Sequence, residues 1–60
     1  MTGKELLKLA RKQGFELIRI KGSHHIMIHS DGRELNIPIH SNIDIPKGLL
    51  HTLLKIINKK

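Results

Sequence analysis

The spacing of apolar residues changes twice along this chain, from helical to strand-like and back to helical. Apolar side chains recur at helical spacing over residues 3–13 and again from Leu49 to Ile57. Between these stretches lie three short runs rich in strand-forming residues, at 15–21, 24–29 and 34–39. The pattern therefore predicts one α+β domain over residues 1–60, with its elements in the order α-β-β-β-α.

Turn and capping residues predict how these elements are joined. Thr2 and Glu5 have the spacing of a capping box that opens the first helix, and Pro46 suits the first turn of the second. The Gly-Ser pair at 22–23 fits a two-residue type II′ turn, and the Asp-Gly pair at 31–32 fits a two-residue turn of the I′ kind. Two tight hairpins predict a three-stranded antiparallel sheet with both helices on one face.

Two turns of two residues would determine the strand pairing and the face on which each side chain lies. They pair His24 with Lys21 in the first strand and with Ile39 in the third. In the same register Ile26 pairs with Arg19 and Ile37, and Ile28 pairs with Leu17 and Leu35. They direct one apolar set toward the helices: Phe15, Leu17, Ile26, Ile28, Leu35, Ile37 and Ile39. His24 is then expected on the helix side, at the rim of the core, and His25 on the open face. Pro38 predicts that the third strand is an edge strand.

Charge and composition narrow the classes of function. The formal net charge is +6, from eleven Lys and Arg against five Asp and Glu, which favours a polyanionic partner such as nucleic acid. Without cysteine there is no disulfide framework and no thiolate nucleophile, and a single aromatic residue argues against a base-stacking platform. No apolar run could span a bilayer and no signal-peptide core opens the chain, so we expect a cytoplasmic protein.

The strongest candidate site is Gly22-Ser23-His24, preceded closely by Arg19 and Lys21. A histidine can act as a general base on the 2′-hydroxyl of RNA, which then attacks the adjacent phosphate without a metal or a protein nucleophile. Partial burial and a nearby ammonium favour the neutral imidazole that this role needs, and the two cations would bind the phosphate. Such a histidine is also an ordinary strand-end residue, and Gly and Ser are ordinary turn residues, so both interpretations stay open.

The five histidines do not predict a metal site. His24 and His25 lie on opposite faces of their strand, and His25 and His29 are about 13 Å apart along it. Without cysteine or a cluster of carboxylates, no zinc centre and no cofactor are expected. His29 and His51 are expected to be surface residues.

Four segments of the chain together resemble the HicA toxins, the mRNA-interferase components of bacterial and archaeal HicAB toxin–antitoxin modules. They are KGSHH (21–25), SDGR (30–33), IPIH (37–40) and IPKGLL (45–50), and the resemblance covers nearly all sixty residues. Many members have Gly-Thr-Leu where this chain has Gly48-Leu49-Leu50, so no role for a hydroxyl group is expected at Leu49.

The resemblance implies a fold like that of a double-stranded-RNA-binding domain and metal-independent cleavage of RNA, including mRNA. It also implies neutralisation by a HicB-type antitoxin that covers the active site. The catalytic histidine of the family falls on His24, its accompanying glycine on Gly22, and the histidine of the Pro-x-His segment on His40. Four residues are expected to contact RNA: Arg19, Lys21, His40 and Lys47. The free toxin is expected to be a monomer or weak dimer that does not bind membranes.

Two other functions stay open on the sequence. A non-catalytic RNA-binding module of the same fold would bind RNA in a salt-dependent way and form no product. A protein-interaction module would instead use its basic face to bind an acidic partner.

Overall fold

Five elements in the predicted order make up the fold, in a computed structural model that describes residues 1–41 and 43–59. They are α1 (Gly3–Lys12), β1 (Phe15–Lys21), β2 (His24–His29), β3 (Glu34–Pro38) and α2 (Lys47–Asn58). The three strands form an antiparallel sheet in the order β1-β2-β3, so β3 is an edge strand as Pro38 predicts. The predicted α+β class is confirmed.

The start of α1 is held by the capping box that the sequence predicts. Thr2 Oγ1 accepts a hydrogen bond from Glu5 N at 3.3 Å, and Thr2 N donates to Glu5 Oε1 at 2.8 Å. The two bonds satisfy backbone donors that have no partner inside the helix. Leu6 and Ala10, one turn apart, are fully buried against the sheet.

The first hairpin has the predicted turn, whereas the second has a longer one. Gly22 has a φ of 60° and Lys21 pairs with His24, as a two-residue turn requires. In the second hairpin His29 N donates to Arg33 O at 2.8 Å, and Gly32 N donates to His29 O at 2.9 Å. These bonds enclose three loop residues, of which Gly32 has a φ of 97°. The prediction of a two-residue turn at 31–32 is wrong, because Asp-Gly also suits a three-residue loop that ends in a left-handed glycine.

One additional loop residue moves the pairing of β2 and β3 by one position. Ile28 pairs with Glu34 and Ile26 with Asn36, instead of the predicted Leu35 and Ile37. Since side chains alternate along a strand, a shift of one residue turns the whole of β2 over relative to β3. Met27 is therefore fully buried, and Ile28 is 37% exposed.

A bulge in β1 makes the first hairpin compatible with this change. The register of β1 and β2 shifts between Leu17 and Arg19, which leaves Ile18 without a partner. Leu17 consequently pairs with Met27 on the core side, and the predicted pairing of Leu17 with Ile28 is wrong. Beyond the bulge, Arg19 pairs with Ile26 as predicted, on the opposite face.

One buried cluster joins both helices to a single face of the sheet. Its members are Leu6, Ala10, Phe15, Met27, Leu35, Ile37, Ile45, Leu53 and Ile57. Phe15, Leu35 and Ile37 confirm the predicted core, and Leu17 and Ile39 pack at its margin. The opposite face of the sheet, which we call the open face, carries Ile26 and Ile28, so their predicted place in the core is wrong.

Arg33 connects the second hairpin to the C-terminal end of α2. Its Nη1 donates to the carbonyl oxygens of Ile56, Ile57 and Lys59 at 2.7, 3.0 and 2.7 Å. Its Nε donates to Asp31 Oδ2 at 2.7 Å. The last carbonyls of a helix have no partner within it, so a single guanidinium caps α2 and neutralises part of its dipole.

His29 belongs to the same network and is not the surface residue that the sequence predicts. Its Nε2 donates to Gln13 O at 3.1 Å, and its Nδ1 accepts from Asp31 N at 3.1 Å. The ring also packs edge-on against Phe15, with 5.1 Å between the ring centroids. His29 therefore links the end of α1 to the second hairpin.

Asp31 makes the stability of this network depend on pH. The backbone N–H of Arg33 holds the pKa of the Asp31 carboxyl below its usual range, and the guanidinium of Arg33 acts in the same direction. A carboxyl with a lower pKa in the folded chain stabilises the fold above its unfolded pKa, and loses this effect as the pH falls through its folded pKa. We expect the melting temperature of the wild type to decrease as the pH is lowered below about 4.

The variant Asp31→Asn isolates that effect. We expect it to melt at a lower temperature than the wild type at neutral pH, and to lose less of its stability on acidification. Thermal melts followed by circular dichroism, at neutral pH and below about pH 4, measure the difference, with Asp44→Asn as the matched control. Equal losses in the wild type and in Asp31→Asn would contradict the assignment.

Candidate functional site

His24 begins β2 directly after the first turn, and its side chain lies on the open face of the sheet. Its Cα partners are Lys21 in β1 and Pro38 in β3. It shares its face with Ile26 and is exposed, whereas the intervening positions of β2 point toward the helices. The predictions that His24 faces the helices and is partly buried are therefore wrong, because the longer second loop turns β2 over.

His25 points toward the helix layer and is half-buried. Its Cα partners are Ile20 and the buried Ile37, and its Nδ1 donates to Ser23 O at 3.2 Å. The prediction that the two adjacent histidines lie on opposite faces is confirmed, but the faces are exchanged. His25 therefore contacts the turn from the helix side of the sheet, and its side chain is not on the open face.

Asn36 is hydrogen-bonded to His24 across β2 and β3. The distance from His24 Nδ1 to Asn36 Oδ1 is 3.0 Å. An amide oxygen only accepts, so Nδ1 is the donor in this hydrogen bond. Asn36 pairs with Ile26, which places it diagonally next to His24 on the open face.

Sequence reasoning missed Asn36 because the predicted register put it on the face opposite to His24. One signal was available. Asparagine is depleted in strands, and Asn36 lies in the middle of β3 at an exposed position. A residue that weakens its own strand suggests a role for its side chain.

Two cations lie beside His24, as the sequence predicts. Lys21 is its Cα partner, and Arg19 is the partner of Ile26, one pair further along the same face. Both cations are exposed, and the ion pairs among residues 1–41 and 43–59 involve other groups. The open face thus presents an imidazole between an amide and two free cationic side chains, an arrangement that attracts a phosphate group.

The backbone conformation of Gly22 and the hydrogen bonds accepted by Ser23 O stabilise the first turn. A Cβ added to Gly22 would meet no atom within 4 Å, so the left-handed φ alone selects glycine there, and the space above the turn is open. Ser23 O accepts from Ile39 N at 2.8 Å and from His25 Nδ1 at 3.2 Å. The backbone bond from Ile39 N joins the turn to the residue after β3 and positions His24, the first residue of β2.

In the described part of the chain, no hydrogen bond joins His40 or Lys47 to His24. Ile39 is bonded to Ser23, so His40 follows at the same end of the sheet as the turn. Lys47 is exposed at the start of α2, in the helix layer.

Neither a metal cluster nor a membrane helix is found in the part of the chain that the structure describes. Within residues 1–41 and 43–59, no three or more His, Asp or Glu side chains form a group that could hold a metal ion. Neither described helix combines the length and the apolar character needed to cross a membrane. The cations beside His24 also disfavour a divalent metal ion at this position.

A comparison with protein families gives a match over almost the whole chain. The family described as the HicA toxin of bacterial toxin–antitoxin systems matches residues 3–58 of the sixty. This range begins with the first residue of α1 and ends with the last residue of α2. No curated protein gives a significant match to the chain.

Proposed function

This chain belongs to the HicA toxin family, whose members pair with antitoxins in toxin–antitoxin systems, and we propose that it is an endoribonuclease that cleaves mRNA. The observation that carries the proposal is the exposed His24 on the open face, with its Nδ1 bonded to an amide oxygen and two cations beside it. The net charge of +6 adds a long-range attraction for RNA.

In the proposed reaction His24 acts as a general base on a bound RNA strand. Nε2 takes the proton of a 2′-hydroxyl, and the resulting oxygen attacks the adjacent phosphorus. The bond from phosphorus to the 5′-oxygen breaks, and the departing oxygen takes a proton from water. One product then ends in a 2′,3′-cyclic phosphate and the other begins with a 5′-hydroxyl.

Lys21 and Arg19 act on the phosphate in this proposal. Their positive charges offset the negative charge that builds up on the phosphate oxygens as the new bond forms. His40, at the same end of the sheet, and Lys47, on α2, are proposed to contact the strand further from the cleaved bond. The space beside Gly22 is open, and the backbone of the RNA is proposed to pass over the Gly22–Ser23 turn there.

Incubation of the wild-type toxin with end-labelled RNA in excess EDTA tests the proposal. We expect cleavage to continue in the chelator and to give cyclic phosphate ends. The matched substrate is the same RNA with 2′-O-methyl groups, which has no nucleophile and should bind without being cleaved. Salt-dependent binding of unmodified RNA with no product would instead establish a non-catalytic RNA-binding module.

The proposed antitoxin is a HicB-type protein that covers the open face in the cytoplasm, where mRNA is available. This face combines two apolar side chains, Ile26 and Ile28, with polar and cationic groups, and a protein partner could contact both kinds. A partner bound there would bury His24 and exclude RNA from it.

A further inference from the structure

Asn36 uses its side chain on His24 and on no backbone group of its own strand. Its Oδ1 lies 3.0 Å from His24 Nδ1, in a hydrogen bond that spans twelve positions of sequence. The residue is exposed in the middle of an edge strand, where valine or threonine would form a better strand. Burial and strand formation therefore do not account for an asparagine at this position.

The bond determines which nitrogen of His24 is basic. Free neutral histidine prefers to carry its proton on Nε2, whereas an acceptor beside Nδ1 favours the tautomer with the proton on Nδ1. We propose that Asn36 is a positioning residue that holds His24 in the tautomer whose Nε2 accepts a proton from RNA. This inference rests on the proposed role of His24 as a general base.

The same bond survives the proton transfer. When Nε2 takes up a proton, Nδ1 keeps its own, and Asn36 Oδ1 accepts from it in both states. The imidazole ring therefore stays in one orientation throughout the step, and no side chain has to rotate at the moment of reaction.

An amide suits this position better than a carboxylate. A carboxylate would favour the imidazolium and lower the fraction of His24 that can act as a base near neutral pH, whereas an amide oxygen is neutral. The charged groups that share the open face are Lys21 and Arg19 near His24, with Glu16 and Glu34 further along, both paired with Ile28. The cations lie closer to His24 than the carboxylates do, and Asn36 adds no charge to either side.

The variant Asn36→Val separates positioning from stability. We expect kcat for RNA cleavage to fall about fivefold to tenfold, the factor that one neutral hydrogen bond supplies, with little change in KM. We expect its urea midpoint to equal or exceed that of the wild type, because valine is the better strand former. Thr52→Val, at an exposed position of α2 away from the open face, is the matched control and should keep wild-type kcat.

The variant Asn36→Asp restores the acceptor and adds a charge. We expect kcat to recover at alkaline pH and the acid limb of the pH–rate profile to move to higher pH, since the carboxylate favours the imidazolium. An unchanged profile, or wild-type kcat in Asn36→Val, would overturn the positioning role.

The tautomer of His24 can be measured by NMR in the absence of RNA, so this test does not depend on RNA cleavage. Long-range proton–nitrogen NMR correlations at alkaline pH should show the proton on Nδ1 in the wild type and on Nε2 in Asn36→Val. A wild type with the proton on Nε2 overturns the inference even if RNA is cleaved. A toxin that cleaves no RNA, but shows the expected change of tautomer, overturns the catalytic role of His24 and leaves the Asn36 bond established.

Discussion

Replacing His24 with alanine is expected to abolish RNA cleavage and to leave the fold intact. Removal of a general base lowers the rate by about 10²–10⁴-fold. The side chain is exposed and, within residues 1–41 and 43–59, makes one hydrogen bond, to Asn36, so we expect the free energy of unfolding to change by less than about 1 kcal/mol. Cleavage of end-labelled RNA and urea denaturation of the same preparations measure the two effects.

Two other histidines serve as controls for this variant. His51→Ala removes an exposed imidazole from α2 and should leave both cleavage and stability unchanged. His25→Ala tests the orientation of β2, since His25 points toward the helices and should be dispensable for cleavage by the folded protein. Loss of cleavage in His25→Ala with normal cleavage in His24→Ala would show that the assignment of faces is wrong.

Replacing Arg33 with methionine is expected to cause a large loss of stability, although the side chain is only half-buried. Methionine keeps the apolar stem but removes three hydrogen bonds to the end of α2 and the bond to Asp31. It also removes the guanidinium from the face of Phe15, 5.1 Å from its ring centroid. We expect the free energy of unfolding to fall by about 2–4 kcal/mol, because hydrogen bonds from charged donors are among the strongest.

A loss of that size approaches the whole stability of such a small domain, which is about 3–5 kcal/mol. Arg33→Met should therefore be largely unfolded at the temperature where the wild type still gives a full helical circular dichroism signal. Arg33→Lys keeps the charge, but one ammonium cannot reach three carbonyls and a carboxylate together, so it should recover only part of the loss. Arg11→Met, on the exposed side of α1, is the control, and an equal effect there would contradict the capping role.

The boundaries of the elements follow from signals within a few residues of each boundary. The capping box at Thr2, the helical spacing of the leucines in α2 and the strand-forming runs predict all five elements to within about two residues. Such signals need only neighbouring positions, so they can be recognised in the sequence. The pairing of Lys21 with His24 was predictable for the same reason, because a two-residue turn determines it locally.

The sequence predicted which three residues of the candidate site lie together around the first turn, but not the face of the sheet on which they lie. His24, Lys21 and Arg19 share one face, as the first hairpin implies. The face itself was wrong, and Asn36 was missed, because both depend on the length of the second loop. An Asp-Gly pair is compatible with loops of two and three residues, and nothing within the loop distinguishes them.

Local sequence therefore specified where helices and strands begin and end, which residues form the first turn, and that His24 and His25 point in opposite directions. Contacts between residues distant in the sequence determine that His25, and not His24, points toward the helices. Arg33 reaches carbonyl groups 23 to 26 positions further along the chain, and these bonds hold the three-residue loop. The loop and the bulge at Ile18 together bury Met27 and turn His24 outward beside Asn36. A shift of one residue costs no local propensity but exchanges every side chain of a strand between core and surface, so only the packing of the whole domain could select it.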